Sequence, residues 1–447
     1  MKTTRYICYI LCSLLAVAST ACDKDVHDDE YPLPEGHGAM ITGLQSDKEV
    51  RDIHLFLFGE RGTTVLRDDY TAPRELASTC LPVRSGTYTL VVVANMTDEG
   101  LPTQTTVADL AEWLREHAAA YPGMLTASAQ AEVEAGEVKR LLLELREGTG
   151  GIALSTVRLH LTLPEPDMPA YTSTRAKDGE STPLRLVAEA YRKGTDVRVH
   201  RHIQLCEEQA DGTYLAGLSL LPGDYDLRLW ADLATDGTTD GRYYDTDDLT
   251  AVTVRTENYA ANGQTDEKDA CYATLSATVS GDRQGMSVEL TRPFARYRLV
   301  ATDVQGYLNL IAGGDDLPPI GELDVRGTYE GFFPTGFDVT TGKPNDALNT
   351  GIHYTAAPVA ATGYPEAEAR QVGADFVLTN GGESFVTVTI QMIDPRTGKA
   401  ISTLTGIEIP YRRGHLTTVT GHFLTAGRTT GGVQVDNDWE NDVTIDF

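Results

Sequence analysis

The chain has 447 residues, of which 23% are charged and 41% hydrophobic, a balance that excludes wholesale disorder and leaves room for two to four domains. Its 37 basic and 65 acidic residues give a formal charge of −28. Such a field repels phosphate backbones and anionic lipid, so nucleic acid is not an expected partner. Gly (42), Pro (20) and twice as many Tyr (20) as Phe (10) predict many turns and half-exposed strands rather than a helical bundle.

Residues 1–21 have the layout of a secretory signal. Lys2 and Arg5 precede an apolar run from Tyr6 to Ala18, and small residues Ser19, Thr20 and Ala21 follow. The run is too short for a membrane span of about 20 residues, and no comparable stretch follows. Cys22 comes next, and small residues before a Cys resemble a bacterial lipobox, although the usual Leu three positions earlier is Ser19. The resemblance implies acylation of Cys22, with several chains anchoring stably where one would not; ordinary cleavage without lipid is the alternative. Residues 22–38, acidic and then rich in Pro and Gly, have nothing to bury and are expected to form a solvated tether. Acidic residues directly after the Cys also resemble a Bacteroidetes surface-export signal, the alternative being a plain spacer.

From residue 39 the chain is expected to be all-β. Ile53–Phe58 is the first clear strand, followed by Gly86-Thr-Tyr88 leading into a strand that ends at Ala94. The stretch recurs, at one constant offset, as Gly223-Asp-Tyr225 leading to Ala231. In the second copy Tyr225, Leu227 and Leu229 alternate with Asp226 and Arg228, which predicts a strand with one wet face. A helix is predicted over 107–120, with a cap at Thr106, a stripe of Val107, Leu110, Leu114 and Tyr121, and a stop at Pro122-Gly123. Its expected role is to cover one end of a sandwich. Segments 141–163 and 288–300 are expected to close the two copies, and 164–182 is expected to be a linker. Beyond 300, turns closed by Gly342 and Gly398 predict two hairpins, and Phe385–Ile390 predicts a strand. Short strands with Gly and Pro turns at such spacing imply packed antiparallel sheets.

A strand, a Gly-x-Tyr strand ending in Ala-Asn, a helix and a closing strand resemble the amino-terminal domain of Bacteroidetes fimbrillin-type lipoproteins, especially anchor or minor subunits. Trp230-Ala-Asp232, Leu290-Thr-Arg-Pro-Phe-Ala295 and Ile409-Pro-Tyr-Arg-Arg-Gly-His-Leu-Thr417 are similar to a domain often found in such proteins. The resemblance implies tandem transthyretin-like antiparallel β-sandwiches with one short helix in the first, outer-membrane anchoring, and a part in fimbria-like assembly or adhesion. It implies no catalytic residues. The expected division is 1–21 signal, 22–38 tether, 39–163 first sandwich, 164–182 linker, 183–300 second sandwich and 301–447 third sandwich.

Chemistry-bearing patterns are sparse. His200 and His202 lie two apart on a predicted strand near Cys206 and Glu207, but a zinc site wants three or four ligands. Asp232, Asp236, Asp240, Asp245, Asp247 and Asp248 crowd one loop without EF-hand spacing, and a solvated acidic loop is expected before Ca²⁺. No metal, cofactor or catalytic residue is therefore assigned. No nucleophile elbow or phosphate loop is present, and the chain is not expected to be an enzyme. Cys80, Cys206 and Cys271, an odd number widely spaced, are expected as small buried thiols, although one pair could bridge. Val443, Ile445 and Phe447 share one face of a terminal strand, and burying that face would fix its register. They are the candidates for strand exchange: the run either completes its own sandwich, the favoured outcome, or pairs with a neighbouring subunit. The partners expected are the membrane, through Cys22, and other fimbrial subunits or surface proteins. The alternative function is a glycan- or protein-binding surface lipoprotein of a nutrient-uptake system.

Overall fold

Short runs rich in Val, Leu, Tyr and Thr fold as strands throughout the described residues, because β-branched and aromatic side chains pack well on a pleated surface. The computed structural model describes residues 33–96, 100–164, 183–234, 236–260, 263–280, 283–345, 347–427, 433–434 and 443–446. The signal, Cys22, most of the tether, most of the expected linker and Phe447 lie outside the described residues; the last two residues of the expected tether, His37 and Gly38, begin the first strand.

The first sandwich contains β1 (His37–Gln45), β2 (Ile53–Phe58), β3 (Thr64–Tyr70), β4 (Cys80–Arg84), β5 (Gly86–Ala94), β6 (Leu125–Val133) and β7 (Val138–Glu144). Its sheets run β4-β1-β7 and β3-β2-β5-β6. β1 is antiparallel to β4 and parallel to β7. The second contains β8 (Ser155–Thr162), β9 (Leu184–Arg192), β10 (Arg198–Cys206), β11 (Tyr214–Leu220), β12 (Gly223–Leu233), β13 (Ala270–Val279) and β14 (Arg283–Glu289). Here the orders are β11-β8-β14 and β10-β9-β12-β13, again with the first and last strands parallel. The third contains β15 (Phe294–Ala301), β16 (Asp324–Glu330), β17 (His353–Ala356), β18 (Arg370–Leu378), β19 (Ser384–Asp394), β20 (Lys399–Tyr411) and β21 (Leu416–Gly421). Its orders are β18-β15-β21 and β17-β16-β19-β20, with β15 parallel to β21.

One topology is therefore used three times. In each sandwich the first strand lies between the fourth and the seventh, and the others pair in the order third, second, fifth, sixth. The small sheets are mixed rather than purely antiparallel, because the strands that open and close each sandwich run the same way. The sequence repeat falls on equivalent central strands. β5 and β12 both open on a glycine with φ of 157°. The Tyr88 hydroxyl donates to the Arg84 carbonyl at 2.9 Å, and the Tyr225 hydroxyl to the Leu221 carbonyl at 2.8 Å, each four residues back.

Strand partners correct the expected boundaries. Segment 141–163 joins the last strand of the first sandwich to the first strand of the second, since β8 pairs β11 and β14. Segment 288–300 likewise joins β14 to β15. Along the chain, the expected linker 164–182 comes between β8 and β9, two strands of the same sandwich. These closing and opening strands alternate alike and follow each other closely, so pattern alone merges them.

The second and third sandwiches share a core. Val187 and Trp230, from the large sheet of the second, pack with Tyr244, Phe294, Phe337 and Phe376. The Trp230 and Tyr244 rings meet edge-on at 5.2 Å, and Phe294 meets Phe376 in the same way at 5.6 Å. This covers part of the face of β12 expected to be wet: Trp230 is buried and Arg228 is buried over the Tyr191 ring at 3.7 Å, while Asp226 stays partly exposed. Helix α1 (Val107–His117) is capped as expected, with the Asp109 amide donating to Thr106 Oγ1 at 3.2 Å. It covers the outer face of the first large sheet rather than an end, burying Leu110 and Leu114 against Phe56, Phe58, Val91 and Val93. It is not the sole helix: α2 (Val304–Ala312) follows β15 and buries Val304 and Tyr307 in the shared core. Both expected hairpins form, at 336–344 and between β19 and β20.

Candidate strand-docking edge

The seventh strand of each sandwich lies at the outside of its small sheet. In β21 all six residues, Leu-Thr-Thr-Val-Thr-Gly, are buried. Thr417 Oγ1 donates to the Pro410 carbonyl at 2.7 Å, and Arg298 Nε donates to Thr418 Oγ1 at 2.9 Å. Both threonine hydroxyls are therefore satisfied without water, as burial demands. The chain leaving β21 is held by Asp303, whose carboxylate accepts from the amides of Leu424 at 3.3 Å and Thr425 at 2.7 Å and from Thr425 Oγ1 at 2.8 Å.

That clamp precedes two short strands on the outer edge of β21. β22 (Val433–Gln434) pairs antiparallel with Gly421 and Thr420. β23 (Val443–Asp446) runs parallel to β21, placing Val443 opposite Thr417, Thr444 opposite Thr418 and Ile445 opposite Val419. Two of the strand-exchange candidates, Val443 and Ile445, thus lie on a strand in the chain's own sheet, while Phe447 lies outside the described residues. The corresponding edges of β7 and β14 carry no such ladder among the described residues. β7 leaves Leu142 59% exposed. Beside it runs a groove of 550 Å³ lined by Ser128, Leu142, Leu143, Glu144, Gly150 and Leu154, among others.

The acidic loop is engaged elsewhere. The Asp232 carboxylate is buried and accepts from Arg185 Nε and Nη2, both at 2.7 Å, and from Trp230 Nε1 at 3.1 Å. Asp236 and Asp248 close local turns on Thr238 and Thr250. Asp245 accepts from the Asp247 amide. Among the described residues no group of three or more His, Cys, Asp or Glu is placed to hold a metal ion. His200 and His202 face the same way with rings 6.1 Å apart. His200 lines a cleft of 430 Å³ between the first and second sandwiches, and burial pushes its imidazole down to about 4. Cys80 is half-buried. Cys206 and Cys271 are buried in the second core, where desolvation pushes the Cys206 thiol up to about 12.

Sequence reading missed the buried charge pairs. Glu189, wholly buried in β9, accepts from Arg198, Arg201 and the Tyr191 hydroxyl. Arg185 pairs with Asp232, and Lys268 with Asp375 at 3.0 Å. A signal for the first two was present: Arg185 and Glu189 interrupt an otherwise apolar strand.

Phe332 and Phe385 are the exposed Phe, Trp or Tyr side chains among the described residues, and they lie on different sheets. They do not make an aromatic platform on one sheet face. No helix among the described residues is long and apolar enough to cross a membrane.

Several solved structures are similar over most of their own length. A putative adhesin from Bacteroides thetaiotaomicron aligns with 13% identity over 66% of this chain and 99% of its own, with a TM-score of 0.38. The fimbrial anchor protein Mfa2 from Porphyromonas gingivalis aligns with 11% identity over 63% and 96%, with a TM-score of 0.34. A fimbrial assembly protein from Parabacteroides distasonis aligns with 13% identity over 66% and 98%, with a TM-score of 0.32. No curated protein matches the chain. Residues 151–447 match the model of a family of unknown function, DUF6562. That segment begins just ahead of β8 and contains the second and third sandwiches whole, and the chain belongs to this family.

Proposed function

We propose that the chain is a lipid-anchored structural subunit of a cell-surface fimbria-like assembly, joined to its neighbours by strand addition along the outer edge of a seventh strand. The observation that supports this reading most directly is the pairing of β23 with β21. The tail forms on its own sheet the kind of ladder that a neighbour's strand would form on the open edge of β7. An unpaired edge presents a row of N–H and C=O groups, main-chain bonds to it supply affinity, and the flanking groove supplies side-chain selectivity. With its own last edge occupied, the chain acts as an acceptor, the role suited to an anchor that starts an assembly. Acylated Cys22 and the acidic tether would hold that acceptor at the outer membrane.

The test compares two variants in the native host. Leu142→Lys places a charge on the open edge at an exposed position; it should leave the monomer's melting unchanged and reduce incorporation into surface assemblies. Deleting 443–447 should lower the stability of the third sandwich. If the deletion left melting unchanged yet abolished incorporation, the tail would be a donor and the acceptor reading would be replaced.

A further inference from the structure

Lys268 and Asp375 come from different sandwiches and meet in the shared core. Lys268 ends the single turn Asp266–Lys268 between β12 and β13, and Asp375 lies on β18. Their side chains are 1% and 0% exposed, and Lys268 Nζ is 3.0 Å from Asp375 Oδ1. The amine lies 3.5 Å from the centre of the Tyr259 ring. Asp375 Oδ2 accepts from the Tyr329 hydroxyl at 2.8 Å, and that hydroxyl is 3.0 Å from the Tyr297 hydroxyl. Both backbones are pinned by neighbouring rings, since the Tyr244 hydroxyl donates to the Lys268 carbonyl and the Tyr259 hydroxyl to the Phe376 carbonyl. The four tyrosines Tyr244, Tyr259, Tyr297 and Tyr329 are buried with the pair.

An amine and a carboxyl group held in contact and buried from solvent are arranged for condensation as much as for ion pairing. Taking two charges out of water is costly, and joining the groups removes both charges from the core. Fixed contact supplies the effective concentration that the same reaction lacks in solution. Exclusion of water protects the amide once formed. We propose that Lys268 and Asp375 are the site of a self-formed isopeptide bond, Nζ to Cγ, that ties the second sandwich covalently to the third.

The step needs no other reactant. The ammonium proton passes along the 3.0 Å contact to Oδ1, leaving a neutral amine and a carboxylic acid. Burial favours the uncharged amine, since desolvation lowers the proton affinity of Lys268. Nζ then attacks Cγ, and charge develops on Oδ2, where the Tyr329 hydroxyl already donates. Burial and the nearby Asp375 charge raise Tyr329 well above its ordinary value, so it keeps its proton and serves as an oxyanion donor. The C–Oδ1 bond breaks, Oδ1 takes a proton from Nζ, and one water leaves as the C–N bond forms. Nothing is oxidised or reduced.

The experiment is peptide mass mapping of the denatured full chain after trypsin. Acylated Lys268 is not a cleavage site, so the expected product is 256–283 joined to 371–396, lighter than the two peptides together by one water. Lys268→Arg and Asp375→Ala should lack it. Asp375→Asn should give the same joined product by losing ammonia in place of water. Tyr329→Phe should raise the unjoined fraction several-fold, a kinetic effect that a purely structural tyrosine would not have. Because the decisive measurement is made on the wild-type chain, misfolding of a variant cannot rescue the idea. Cleavage after Lys268, with both peptides at their sequence masses, would overturn it and leave a buried ion pair.

Discussion

Replacing Asp232 with Ala removes the carboxylate paired with a buried cation. The Arg185 and Asp232 side chains are 3% and 6% exposed, and the charged atoms are 2.7 Å apart. At an effective dielectric near 20 their attraction is about 6 kcal/mol. Several kcal/mol of lost hydration per ion offset most of that, so the intact pair is roughly neutral against an apolar one. Asp232→Ala loses the attraction without returning Arg185 to water, and the remaining acceptors, the Thr239 carbonyl at 3.2 Å and Thr246 Oγ1 at 3.4 Å, carry no charge. The indole N–H of Trp230 loses its acceptor as well. The expected cost is about 3–5 kcal/mol. In urea unfolding, with a slope near 3 kcal/mol/M, this lowers the midpoint by more than about 1 M. The double variant Arg185→Met with Asp232→Leu should cost less than either single change. A single Ala variant within about 1 kcal/mol of wild type, or a double variant equal to the sum of the singles, would refute the buried-pair reasoning.

His200 is held neutral below its ordinary value near 6.5 by burial, with the Asp109 charge opposing that shift, so the unfolded chain binds the extra proton first. Stability is therefore full above pH 6.5 and falls toward pH 4 by up to about 3 kcal/mol, a decline that His200→Gln should flatten in pH-dependent melting. Trp230→Ala should cost about 3–5 kcal/mol and separate the unfolding of the second sandwich from that of the third, visible as two transitions in calorimetry. Cys22→Ala should move the chain from the membrane to the soluble fraction and remove the acyl mass. Unchanged fractionation and mass would end the lipoprotein reading.

Strand periodicity, turn glycines, the helix cap at Thr106 and the duplication of β5 in β12 are written in residues close together along the chain, and all were legible there. The third copy was not, because β19 lacks the Gly-x-Tyr opening and shares only its pairing order with the other two. Neither was the ownership of β8 and β15. Val157, Leu159 and Leu161 alternate with exposed residues as an edge of either sandwich would, and only the partners β11 and β14 decide which core they enter. The candidate edge divides in the same way. Alternation in 443–447 announced a strand, but its parallel place beside β21 depends on where β15 and Asp303 direct the chain. Tertiary structure alone brought Lys268 to Asp375 and Arg185 to Asp232. An ion pair has no local period: its partners are chosen by which strands cross, and its strength by how completely the two sandwiches exclude water from between them.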